Sequence, residues 1–102
     1  VCAACHEQEK KLAKAAHASV ACAACHLKHE EFPHPEGVAK PICAQCHAIV
    51  VNEYAASVHA AESKSGNAAA PKCDSCHGDV HENVSARTAQ GRKGIMDTCG
   101  MC

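Results

Sequence analysis

Ten of the 102 residues are cysteine, and all ten fall in C-x-x-C pairs: Cys2/Cys5, Cys22/Cys25, Cys43/Cys46, Cys73/Cys76 and Cys99/Cys102. In the first four pairs the next residue is histidine: His6, His26, His47 and His77. Cys102 is the last residue, so the fifth pair shows no following position. Nothing else in the chain restricts its fold as strongly. Five sets of paired sulfur donors, four with an imidazole attached, have to be satisfied by a metal, by disulfides or by a covalently bound group.

Composition sharpens that demand. The chain has one Phe, one Tyr and no Trp, and its 47% hydrophobic content counts the ten cysteines and many alanines. Alanine buries little area, so these residues cannot build a strong side-chain core. Small, core-poor chains rely on disulfides, metals or a bulky cofactor. Closed zinc sites would use four donors each and would leave the histidine after each pair unexplained. A disulfide scaffold leaves it unexplained too, and C-x-x-C loops are poor staples. Iron–sulfur clusters use cysteine-only sets or other spacings.

C-x-x-C-H is the attachment signature of haem c. Two thiols add across the two vinyl groups on one edge of the porphyrin, and a two-residue spacer lets both reach that edge from one tight turn. The next residue then lies beneath the ring, where a neutral imidazole can bind iron. Spacer identity is free under this chemistry, and it varies here: Ala-Ala, Ala-Ala, Ala-Gln, Asp-Ser and Gly-Met. Haem c is therefore the expected cofactor, with four complete motifs and a fifth pair at the end.

Five histidines lie outside the motifs: His17, His29, His34, His59 and His81. A lone histidine is ordinarily a surface or hydrogen-bonded residue, but here the count matches the number of distal ligands that five haems need. His29 follows His26 by three residues and His81 follows His77 by four. Residues that close stay on the proximal side of the adjacent haem, so they are expected to serve a neighbouring one. His34 sits between Pro33 and Pro35, which hold the backbone extended; the alternative for it is an exposed turn residue. Met96 is expected to be packing, and Met101, inside the fifth spacer, to point away from any iron.

The motifs start at residues 2, 22, 43, 73 and 99, too irregular for a solenoid repeat. The expected architecture over 1–102 is one domain, whole or part of a longer chain. It is mainly irregular coil with a few short α-helices around a dense haem array, and without significant β-sheet. Helices are expected over Glu7–Ala18, with Glu7 and Lys11 at i,i+4, and over Ala48–Lys64, with Val50, Tyr54, Val58 and Ala61 along one face. A third is expected from Glu82 to Gln90, ending before Gly91. Loops are expected at Phe32–Pro41, Ser65–Pro71 and Gly91–Gly94. The formal net charge is −1, which gives no sign of nucleic acid or an anionic membrane surface as a partner. No apolar run reaches membrane-spanning length.

The chain resembles the multihaem cytochromes c over nearly its whole length. Tyr54-Ala55-Ala56-Ser57-Val58-His59, followed by Cys73 through His81, is similar to a Ser-x-His upstream of C-x-x-C-H-G-x(x)-H found in pentahaem nitrite reductases, octahaem enzymes and membrane-anchored quinol dehydrogenases. In that pattern the upstream and trailing histidines are distal ligands, so the resemblance assigns those roles to His59 and His81. His17 through His29 is a compressed echo. The motif with Lys in place of His, found in some catalytic members, is absent from the sequence, as is the membrane helix of the quinol dehydrogenases. The resemblance therefore implies a non-enzymatic electron carrier, similar to small tetrahaem cytochromes or to subunits of extracellular cytochrome filaments. It implies haem attachment outside the cytoplasm, in the periplasm or beyond, and redox proteins as partners. A homo-oligomer or filament could share ligands between subunits. The alternative is the electron-transfer part of a reductase of small nitrogen or sulfur oxyanions.

Overall fold

A computed structural model describes residues 2–29, 31–37 and 40–102. A 3-10 turn at Cys2–Ala4 is followed by six helices: α1 (Gln8–Leu12), α2 (Cys22–Cys25), α3 (Ala44–Ala55), α4 (Val58–Lys64), α5 (Cys73–His77) and α6 (Ala89–Cys99). No strand occurs among the described residues. Helix accounts for nearly half the chain, more than a mainly irregular architecture implies. Part of the excess comes from the cysteine motifs, each of which is itself a helical turn, and part from α6.

Each expected helix is redrawn for a local reason. The one expected over Glu7–Ala18 stops at Leu12 and continues as isolated turns. The amide of Ala16, which would have extended it, donates instead to the carbonyl of Asn83 at 2.8 Å. Lys11 pairs with Glu82 rather than with Glu7. The segment expected as one helix over Ala48–Lys64 is divided between α3 and α4. Ser57 is extended (φ −84°, ψ 161°), and its Oγ accepts from the Ala60 amide at 3.3 Å. This is the N-cap arrangement that serine favours, and it outweighs continuation of the helix. The apolar stripe is split by the same break, leaving Val58 exposed.

The third correction is the largest. The helix expected to end before Gly91 begins at Ala89 and runs to Cys99, so Gly91–Gly94 is helical rather than a loop. Thr88 caps it, its Oγ1 accepting from the Gly91 amide at 3.0 Å. Gly91 is needed there because a Cβ would stand 2.1 Å from the Ser85 carbonyl oxygen. The other two expected loops are irregular at their described positions, with residues 38 and 39 lying outside them.

The polypeptide does not fill its own interior. Its buried apolar side chains among the described residues are Ala15, Ala60 and Ala70. Its surface is 8361 Å², where a folded monomer of this mass exposes about 5,500 Å². Its radius of gyration is 15.4 Å, against about 13 Å for a compact domain of this length. Phe32 is 86% exposed, Ile49 77% and Met96 71%, so Met96 is not the packing residue it was expected to be. A few polar ties span the chain. Ala16 and Lys11 hold the 82–83 segment, Tyr54 Oη donates to the Pro71 carbonyl at 2.8 Å, α3 meets α4, and α5 packs on α6.

Candidate cofactor-binding site

Each C-x-x-C-H segment forms one turn of helix. The His6 amide donates to the Cys2 carbonyl at 3.0 Å, His26 to Cys22 at 2.9 Å and His47 to Cys43 at 2.9 Å, while α5 spans the fourth motif. Cysteines three apart on a helical turn share a face, and the histidine one position on stands beside them. Immediately after that turn the backbone leaves the helix: His26 is extended (φ −100°, ψ 90°), and His47 lies off helical geometry (φ −114°, ψ 38°) inside α3. No two of the ten cysteines are joined; seven are exposed and Cys22, Cys25 and Cys76 are half-buried.

The fold brings six imidazoles together in three pairs, each joining a motif histidine to one outside the motifs. His6 and His34 have ring centroids 6.1 Å apart with planes at 20°. His17 and His47 are 5.9 Å apart at 90°. His26 and His81 are 6.0 Å apart at 6°. Two imidazoles bound on opposite sides of one metal, each through a nitrogen about 2.0 Å from it, have centroids about 6 Å apart. Phe32 stands equally far from His34, so spacing alone does not define a ligand pair; a nitrogen donor on both rings is needed as well. His29 makes closer edge contacts, 5.4 Å from His26 and 5.2 Å from His34, and lies between two of the pairs. The rings of His59 and His77 take part in none of these contacts.

Hydrogen bonds orient four of the five histidines outside the motifs. Nδ1–H of His81 donates to Asp79 Oδ1 at 3.0 Å, that of His34 to the Glu31 carbonyl at 2.8 Å and that of His29 to the Leu27 carbonyl at 2.7 Å. His17 Nδ1–H reaches Asn83 Oδ1 at 3.4 Å. Every one of these acceptors is an oxygen, so the ring proton is fixed on Nδ1 and Nε2 is left as a free donor. Metal-binding histidines are held in the same way, by a carboxylate or carbonyl on the second nitrogen. For His29 the device includes Lys28, whose φ of 61° turns the chain sharply after His26.

Electrostatics at the centre of the cluster favour the neutral form of imidazole. Burial, and then the neighbouring rings of His29, His81 and His6, hold His26 below the usual histidine range. Only the neutral ring can bind a metal. Asp79 is held below the usual carboxylate range by the backbone amide of His81, which donates to it at 2.8 Å, and then by the His81 ring.

Among the described residues no three His, Cys, Asp or Glu side chains converge as a metal-holding group. A closed zinc site needs four such donors. A cysteine pair with two imidazoles is instead the donor set that a covalently attached haem would take. Three motifs have a second imidazole beside the motif histidine, with Cys2, Cys5, His6 and His34 at the first. Cys22, Cys25, His26 and His81 form the second set, and Cys43, Cys46, His47 and His17 the third. Among the described residues no second imidazole stands beside His77 of the Cys73/Cys76 motif. Cys99 closes α6, and the Cys102 amide turns back to its carbonyl at 3.4 Å.

Sequence reasoning picked out all these histidines but not their pairing. It also passed over Asp79 and Asn83, whose signal was available as side-chain oxygens two residues from His81. No protein family, no curated protein and no solved structure matches this chain.

Proposed function

We propose that the chain carries electrons between covalently bound, bis-histidine c-type haems, as a multihaem c-type cytochrome or part of one. The observation that supports this most is the set of three imidazole pairs at 5.9–6.1 Å, each linking a C-x-x-C-H histidine to a distal one whose Nδ1 is already committed. When bound, haem iron supplies one-electron chemistry, and two imidazoles give it a lower potential than a methionine–histidine set would. The chain's own contribution would be to hold two imidazole donors at each iron, so that little would need to rearrange between its two oxidation states. His17 and His81 are tied together through the 81–83 segment, and His29 lies between the His6/His34 and His26/His81 pairs. On this reading the three centres would lie side by side, with His26/His81 in the middle. Redox proteins are the partners this reading calls for, with haem attachment outside the cytoplasm. The described helices include none long and apolar enough to cross a membrane.

Within this reading His59, exposed near the start of α4, is the residue available to an iron of a second copy, as an oligomer or filament would need. A reductase of small nitrogen or sulfur oxyanions is the second reading, and one observation favours it: among the described residues no imidazole stands beside His77. The two readings separate in one experiment. The haem-loaded protein is reduced stepwise and then exposed to carbon monoxide. Electron transfer alone predicts several reversible one-electron steps and ferrous spectra that carbon monoxide leaves unchanged. Carbon monoxide binding at one centre, with turnover of nitrite or sulfite, would favour the reductase. An absence of reversible reduction would overturn both.

A further inference from the structure

The three imidazole pairs are not chemically equivalent. His34 and His29 donate Nδ1–H to backbone carbonyls, and His17 reaches the neutral side-chain amide of Asn83 at 3.4 Å. Of these histidines His81 alone donates to a carboxylate, Asp79 Oδ1 at 3.0 Å. The same oxygen accepts the His81 backbone amide at 2.8 Å, so one atom sets both the direction of the loop and the direction of the ring. A carboxylate on Nδ1–H draws the proton toward itself and makes Nε2 a stronger donor than a carbonyl does. A stronger donor stabilises ferric iron more than ferrous iron, and the potential of that centre falls.

Ring planes act in the same direction. The planes of His26 and His81 are nearly parallel at 6°, whereas those of His17 and His47 are perpendicular at 90°. Imidazoles with parallel planes interact with the same iron dπ orbital and separate it from the other, which favours the ferric state. Perpendicular ones leave the two orbitals close in energy.

We propose that Asp79 is a positioning and tuning residue that makes the His26/His81 centre the lowest in potential of the three. This rests on the haem reading above and adds to it a role for a residue outside every cysteine motif. The middle centre of the row then becomes the step that electrons must climb to. An electron leaves it downhill toward either neighbour, so Asp79 governs how fast charge crosses the protein.

The test is Asp79→Asn in the haem-loaded protein. Asparagine keeps Oδ1 as an acceptor for both His81 donors, so the loop and ring keep their places and only the charge is removed. Haem content and stability should match the unsubstituted protein. The ferric preference of one centre should fall about tenfold, raising its midpoint by about 59 mV for a one-electron couple. Ferric electron paramagnetic resonance identifies the centre. The perpendicular His17/His47 site gives a strongly anisotropic signal, and the near-parallel sites give rhombic ones. The lowest-potential rhombic signal should disappear at higher potential in the variant, with the anisotropic signal unmoved. Glu82→Gln removes an equal charge from the same loop without touching the ring, and should shift that signal far less.

Midpoints unchanged in Asp79→Asn at full haem content would overturn the proposal and leave the electron-transfer reading standing. An equal shift in Glu82→Gln would also overturn it, because the effect would then be one of general charge. An unsubstituted protein without covalent haem would overturn both readings.

Discussion

Removing His81 is the most informative single perturbation. Under the proposed function His81 would join residue 81 to residue 26 through one iron, closing a loop of about 55 residues. Treated as a cross-link that outlasts unfolding, a loop of that length removes enough chain entropy to contribute about 4 kcal/mol. The His6–His34 and His17–His47 links close loops of about 28 and 30 residues and contribute about 0.6 kcal/mol less each, because the cost grows only with the logarithm of length. His29 closes no such loop. Its substitution removes one ring hydrogen bond to the Leu27 carbonyl, worth about 1 kcal/mol. Guanidinium unfolding of the haem-loaded variants, followed by circular dichroism, should therefore place H81A, H34A and H17A together, each about 4 kcal/mol below the parent. H29A should lie within about 1 kcal/mol of it. H81A should also convert one ferric centre from low to high spin, and free imidazole should reverse the change. If H81A were no more destabilised than H29A with every iron still low-spin, the pairing would be wrong.

Other outcomes follow from local geometry. Gly91→Ala drives a Cβ into the Ser85 carbonyl, which also accepts from the Thr88 amide and hydroxyl, so the α6 cap is strained as well. A loss of about 3 kcal/mol is expected in thermal or denaturant unfolding, and a neutral result would show that Ser85 lies elsewhere. Tyr54→Phe deletes the bond to the Pro71 carbonyl and should cost about 1 kcal/mol, with faster amide exchange just ahead of Cys73. Lys11 is held above its ordinary value by its hydrogen bond to Glu82 and then by that residue's charge. A raised folded-state value means the contribution is complete below the ordinary lysine range and is lost as pH rises through the folded value. Nuclear magnetic resonance titration of Lys11 Nζ should show E82Q returning it toward the ordinary range; an unchanged titration would place Lys11 away from Glu82.

Much of the candidate site was legible in the sequence because a C-x-x-C-H motif is a local matter. Two thiols and the imidazole that follows them sit within one helical turn, so Cys22, Cys25 and His26 announce themselves by spacing alone. The pairing of imidazoles is a long-range matter. Nothing near His81 says that it will face His26, because that choice depends on how the 79–83 segment returns to lie against Ala16 and Lys11. The helices were misjudged where a single amide had a better acceptor than the helix offered. Ala16 turned to Asn83, and Ser57 and Thr88 capped helices that propensity placed otherwise. With so few large apolar side chains, the usual periodic signal of burial was weak from the outset. Ile49, Val58 and Met96 are exposed in a chain that has almost no core of its own.

The central claim is that these motifs carry covalent haem, and the mass of the intact chain under denaturing conditions tests it most directly. Read together with a pyridine haemochrome spectrum, it gives the number of haems held through thioether bonds. The account predicts one for each complete C-x-x-C-H motif, at least four in all, retained after denaturation. A chain at its polypeptide mass of 10.6 kDa, with free thiols and no haemochrome, would contradict it.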